Sequence, residues 1–315
     1  MIVKRNFNPV KIWWYIKQPM WFVILWSFAV WLFYFTTKTK EMALSFTPIS
    51  VLGSALAIFI AFRNNAAYSR WWEARQIWGA LVNHSREFAR MVSNFVDVQI
   101  RAYPDQKKTM IAFKKELVYR QIAFVHALRL HLRKQHNWNE VKPFLKDDEY
   151  AKIISVSNKP NMINMLNGDC LRKGQDQKML EWFHTFQIEG NLTQFAHHLG
   201  KCERIKNTPL PRQYDFFTRL FVYFFVTLLP FGLLNIFQQE YFLSTTWLVV
   251  PLSILIGGVF IIMERTGAAN ENPFENLVTD VPLTAICNTI ERDLREMLGE
   301  EDLPPKLQPV DGYLF

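Results

Sequence analysis

Four stretches of the chain carry no Asp, Glu, Lys or Arg: residues 18–37, 42–62, 220–239 and 241–263. Their lengths of 20, 21, 20 and 23 residues match the roughly 20 that a helix needs to cross a bilayer. Trp, Phe and Leu fill the first, and no small-residue cleavage site follows it, so it reads as a span and not as a cleaved leader. The pattern predicts two hairpins of transmembrane helices, with residues 37–41 joining the first pair and Glu240 separating the second. Beyond the second stretch the period becomes that of an amphipathic helix. Trp71, Ala74, Trp78, Leu81, Val82, Phe88, Val92 and Phe95 recur at helical spacing, while Arg70, Glu73, Arg86, Glu87 and Arg90 occupy other faces. No Gly or Pro falls between Ala80 and Tyr103, so the second span is predicted to continue as one long helix to about Ile100. Further helices are predicted over 107–134, 177–204 and 283–298, with an irregular, short-helix connection over 136–175. Turns are expected at Thr208-Pro209-Leu210-Pro211 and Asn272-Pro273-Phe274.

The expected fold is therefore an all-α membrane protein with four transmembrane helices per subunit and a large helical domain outside the bilayer. The chain divides into residues 1–63 with the first two spans, a helical domain over 64–215, spans three and four over 216–263, and a tail over 264–315. Composition agrees: 50% of residues are apolar, 15% aromatic and only 20% charged, against about 25% charged in an ordinary soluble domain. The net charge of +8 permits nucleic acid or anionic lipid as a partner, but its placement favours the membrane. Lys4, Arg5, Lys11 and Lys17 precede the first span, and residues 63–215 hold 25 bases against 15 acids. The positive-inside rule then puts both termini and the long middle segment in the cytoplasm, with no role for nucleic acid. The tail from residue 264 carries eleven acids to four bases and should lie along the basic helices. Cys170, Cys202 and Cys287 lie far apart, which excludes a disulfide framework and a thiolate zinc site.

Catalytic signatures are missing. None of His84, His126, His131, His136, His184, His197 and His198 has metal-ligand spacing to a nearby acid, and polar-face histidines are the expected reading. There is no Gly-rich phosphate loop and no nucleophile elbow, and the spans hold no ionisable group that an intramembrane enzyme would use. Neither an enzyme nor a bound cofactor is expected. In the second span, Ser50, Gly53, Ser54 and Ala57 let helices approach closely. That pattern suits ordinary helix packing and equally suits a pore wall built from several copies, with Val51 and Ala55 one turn apart and the gate an apolar, dewetting constriction.

The run from Phe62 to Gly79, FRNNAAYSRWWEARQIWG, resembles the signature of bacterial bestrophins. So do the run from Cys202 to Pro211, CERIKNTPLP, the tetrad Glu271-Asn272-Pro273-Phe274, and the Pro48-Ile49-Ser50 start of the second span. The resemblance implies a homopentameric channel for small monovalent ions, with the second span lining a narrow neck and a second constriction in the cytoplasmic vestibule. It places the neck at Thr47, Val51 and Ala55, with Leu52 and Phe59 the next candidates, and the cytoplasmic constriction at Ile188 or Leu192. Animal relatives carry a calcium clasp after Asn-Pro-Phe, of which only Asn272 and Asp280 remain here. No tight calcium site is expected, because calcium wants six to eight oxygens, several of them carboxylate. The sign of selectivity stays open between anions, as in animal and plant relatives, and sodium, as in bacterial ones. A secondary transporter and a membrane-anchored interaction protein are the alternative functions.

Overall fold

One helix of 57 residues runs from inside the apolar second stretch deep into the polar part of the chain. It belongs to a computed structural model that describes residues 1–5, 9–239 and 243–315. Nine α-helices follow one another in these residues: α1 (Pro9–Thr37), α2 (Phe46–Ala102), α3 (Lys107–Leu132), α4 (Asp147–Ser155), α5 (Lys159–Asp176), α6 (Trp182–Asn207), α7 (Arg212–Gln239), α8 (Val249–Asn270) and α9 (Leu283–Met297). No strand forms among the described residues, only isolated β-bridges. Four helical stretches among the described residues are long and apolar enough to cross a membrane, and they take in residues 18–37, 42–62, 220–238 and 245–263 of the charge-free stretches. Glu240, expected between the second pair of spans, lies outside the described residues. The chain folds as two compact units, one from Lys4–Arg70 and Pro209–Glu271, the other from Met1–Val3, Trp71–Thr208 and Asn272–Phe315.

The first unit holds the spans. Apolar side chains gain nothing by leaving lipid for each other, so packing here depends on small residues that let helices approach. Gly53 of α2 sits against the ring of Phe225 on α7, where a Cβ would come within 2.8 Å of it. Gly232 of α7 admits Ile49 and Phe46 of α2 in the same way. On α8, Gly257 lies against Val23 of α1 and Val226 of α7. The closest approach is at Gly267, where a Cβ would stand 2.0 Å from the Oδ1 of Asn64. The Asn64 amide in turn donates to the Met263 carbonyl at 3.0 Å, fastening α2 to α8.

In the second unit α3 is central. Leu117, Val118, Ile122, Phe124, Val125 and Leu128 are fully buried, and α5, α6 and α9 pack around the helix. The distal half of α2 adds Trp78, Leu81, Phe88 and Val92 to the same core. Arg120 is buried with them, held by Glu116 at 2.5 Å, Glu149 at 2.6 Å and Asn167 at 3.2 Å. The acidic tail packs here. Leu283, Ile286, Ile290 and Leu294 form the buried stripe of α9, and charged neighbours reach α2 and α3 through Asp293–Arg86 at 2.5 Å and Glu300–Lys115 at 2.8 Å. Burial works against the Glu300 carboxylate, yet bonds from Lys115, Tyr119 and Arg295 hold its pKa down at about 2. The segment 136–175 is more regular than its composition suggests. Its α5 helix runs for 18 residues and buries Ile163, Leu166 and Leu171.

Five of the seven histidines have a side-chain partner, and of the seven only His198 is buried. His126 meets Glu291 at 3.1 Å, His131 meets Glu203 at 3.0 Å, and His184 stacks on Phe95 with ring centres 4.2 Å apart. His84 of α2 and His198 of α6 share a hydrogen bond of 2.7 Å, so one ring must offer an unprotonated nitrogen to the other. Burial, reinforced by the positive charge of His84, Lys201 and His197, lowers the pKa of His198 to about 4.

Two outcomes follow from this packing. Gly267→Ala should cost about 1–3 kcal/mol by overpacking, whereas Gly190→Ala, on the open face of α6 where a Cβ meets nothing within 4 Å, should gain about 0.5–1 kcal/mol. Thermal unfolding of the two variants in mild detergent checks the contrast. Because the folded chain keeps His198 neutral well below its ordinary value, the unfolded chain takes up the extra proton first as pH falls. Stability from this pair is complete above about pH 6.5 and is lost toward pH 4, on the order of 3 kcal/mol in all. The fall in melting temperature between pH 7 and pH 5 should be smaller in His198→Gln than in the wild type; an equal fall would remove the pair from the account.

Candidate functional site

The rotation of α2 about its axis decides which of its side chains are free. Arg63 ends the uncharged stretch, and its side chain is only 3% exposed. It turns toward α7 and α8, where it binds Asp215 and, at 3.3 Å, both the carboxylate and the backbone carbonyl of Glu264. Ile49, Gly53, Leu56, Ile60 and Ala67 lie on that same buried face. On a helix of 3.6 residues per turn the opposite face must then carry Thr47, Val51, Ser54, Ala55, Ile58 and Phe62. All six are exposed in the subunit: Val51 is 64%, Ile58 60% and Phe62 73% accessible. The open face continues without a break through Asn65, Ser69, Trp72 and Gln76. It starts apolar and small and ends polar.

The two other neck candidates sit differently. Leu52 packs against the core of the first unit. The ring of Phe59 stacks on Tyr214 at 5.9 Å and meets Phe221 edge-on at 6.3 Å, which turns it toward α7. Two serine hydroxyls of this stretch turn back onto their own helix. Ser50 donates to the Thr47 carbonyl at 2.8 Å, and Ser54 to the Ser50 carbonyl at 2.9 Å.

The cytoplasmic-constriction residues require correction. Ile188 is 0% and Leu192 3% exposed, both inside the core built on α3. A side chain enclosed by its own subunit cannot line a shared lumen, so neither residue is the constriction. The open face of α6 instead carries Trp182, Phe186, Gly190, Thr193 and His197, with Phe186 69% exposed.

The remnant of the calcium clasp is used by the fold itself. Asp280 is 2% exposed, and its Oδ2 accepts the backbone N–H of Glu275 at 2.6 Å and of Leu277 at 3.1 Å, closing the turn after Asn-Pro-Phe. Burial raises its pKa against those two bonds. Asn272, eight positions earlier, is half-buried. Among the described residues no group of three or more His, Cys, Asp or Glu side chains could hold a metal ion.

Three of the motif segments meet around this turn. The indole of Trp71 donates to the Thr279 carbonyl at 3.0 Å, Arg204 pairs with Glu73, and Lys206 binds Glu275 at 2.8 Å. Two ion pairs and one hydrogen bond thereby join residues 69, 131 and 208 positions apart in sequence. Sequence reasoning found the segments but not the contacts, since nothing in a motif names its partner.

Comparison with known proteins agrees with this geometry. The family model for the bacterial/fungal bestrophin protein matches residues 9–296. The voltage-dependent anion channel-forming protein YneE of Salmonella typhi is 35% identical over 270 residues, 84% of this chain and 81% of that protein. Its namesake in Escherichia coli K12 is 33% identical over 275 residues, covering 87% and 84%. A crystal structure of a bacterial bestrophin homologue from Klebsiella pneumoniae superposes with a TM-score of 0.79 at 29% identity, over 91% of this chain and 98% of that one. With its motifs joined at one turn and its spans matched almost end to end, the chain belongs to the bacterial and fungal bestrophin family, whose members are channels and not enzymes.

Proposed function

We propose that the chain is the pore-forming subunit of a homopentameric channel for small monovalent ions, sited in a bacterial inner membrane with both termini cytoplasmic. The observation that carries this reading is the open face of α2. In a single subunit this face has nothing to cover it, and its residues change from apolar to polar along one helix, as a path from bilayer to water requires. Lipid would suit the first half but not Asn65, Ser69 and Gln76. Copies of α2 around an axis suit both halves. Thr47, Val51 and Ala55 then form the neck, with Ile58 and Phe62 below them.

The neck acts through desolvation. No charged group replaces water there, the Val51 and Ala55 side chains offer no hydrogen bond, and stripping water from an ion in such surroundings costs several kcal/mol. This barrier does not distinguish the sign of the ion, so selectivity comes from charges beyond the neck. The names of the curated relatives put anions first, and reversal potentials in asymmetric NaCl test that order. For the neck itself, Val51→Ser should raise the single-channel current in bilayers and Val51→Phe should lower it, with the reversal potential little changed by either. Unchanged amplitudes in both variants would remove Val51 from the pore. A mass of five chains in mild detergent is the matching expectation for assembly, and a monomer that still conducts would refute it.

A further inference from the structure

The helix ends tied by Arg63 also enclose a recess of about 210 Å³ between α1, α7 and α8. Its polar lining is Arg219, Arg265, Tyr223 and Glu264, and Val222 and Ile261 are among its apolar residues. The charges do not balance. Asp215 is bound by both Arg63 and Arg219, the latter at 2.7 Å, and Glu264 is bound by Arg63 at 3.3 Å. Two carboxylates thus face three guanidinium groups. The Nε of Arg265 stays 3.9 Å from Glu264, beyond hydrogen-bond distance. Its side chain is 37% exposed and that of Arg219 57%, so both keep N–H groups for something outside the protein.

The level of the recess identifies what that is. Arg219 directly precedes the uncharged stretch 220–239, and Arg265 lies two residues beyond the end of 241–263. Both therefore stand where hydrocarbon gives way to headgroups. Aromatic side chains mark the same depth. The Tyr15 hydroxyl donates to the Arg265 carbonyl at 2.7 Å, and exposed Trp14 carries the Lys17 ammonium 3.6 Å above its ring. A guanidinium fork matches phosphate oxygens in pairs. Basic hollows between transmembrane helices on the cytoplasmic side suit phospholipid headgroups. Val222 and Ile261, both buried, close the recess on its apolar side.

We propose that this recess binds the phosphate of an anionic phospholipid, with Arg265 and Arg219 holding the headgroup. The proposal depends on the membrane level of α1, α7 and α8 and not on which residues line the pore. The test is native mass spectrometry of the delipidated full-length protein in mild detergent, titrated with phosphatidylglycerol or phosphatidylcholine. One phosphatidylglycerol per chain should bind saturably and about tenfold tighter than phosphatidylcholine. Arg265→Gln should weaken that binding by about fivefold, Arg265→Lys should restore part of it, and Arg172→Gln, at an exposed position in the other unit, should change nothing. Millimolar inorganic phosphate should not displace the lipid. Equal binding of the two lipids, undiminished binding by Arg265→Gln, or displacement by inorganic phosphate would each overturn the proposal, the last by assigning the site to a soluble anion. Should a variant not accumulate, the two-lipid comparison and the phosphate competition on the wild type still decide. Because the readout is binding and not current, failure here is separate from failure of the channel reading.

Discussion

A buried guanidinium sets the geometry on which the rest of the first unit depends. Arg63 sits at the end of an uncharged helix with its side chain 3% exposed. An unpaired charge in such a place is untenable, and breaking a buried pair by removing one partner commonly costs about 3–5 kcal/mol. Asp215 and Glu264 make the burial possible, and they come from two other helices. One side chain therefore fixes α2, α7 and α8 at a common height. Asn64 and Gly267 repeat the restraint one residue further on, where an amide and a missing Cβ let α2 and α8 touch. Because a helix turns as a rigid rod, holding Arg63 inward also holds Val51 and Ala55 outward.

The spans were legible in the sequence because lipid imposes a requirement that composition reveals directly: about 20 residues without charge. The continuation of α2 was legible for a related reason, since a run free of Gly and Pro with apolar residues at helical spacing has few other conformations. The acidic tail could be placed by charge alone. By contrast, the sequence did not show which face of α6 points outward. That helix carries large apolar residues on both faces, Phe186 outside and Ile188 inside, so hydrophobicity could not choose between them. The length of α5 was hidden similarly. Its Asn, Asp and Gly residues are weak helix formers, and the helix is held by contacts that α3 and α6 supply. Gly174 shows the mechanism: it reads as a breaker, yet it is the position where the ring of Phe113 needs the space of a side chain.

Long-range pairs were the other part that could not be read. The partners of Arg63 lie 152 and 201 residues away, so its motif alone does not show what it pairs with. The same holds for Trp71 with Thr279 and for His84 with His198. In each case a single sequence supplies one half of an interaction, and only the fold supplies the other.

The cluster and the proposed neck are connected by the same physics. Charge near the low-dielectric part of the chain is stable only when paired, so the fold gathers it at the helix ends: Arg63 with both of its carboxylates, Arg219 with one of them. Nothing charged is left for the wall of α2 above that level. Two of the hydroxyls that do occur there, those of Ser50 and Ser54, spend their protons on backbone carbonyls of their own helix. At Val51 and Ala55 of the proposed neck an anion finds no donor, and a cation finds no carboxylate. What remains is a passage whose resistance depends on width and wetting. Such a neck can open or close the flow of either sign without choosing between them. The choice must then fall to the charged surfaces that lie outside it, where water screens each group and many groups act together.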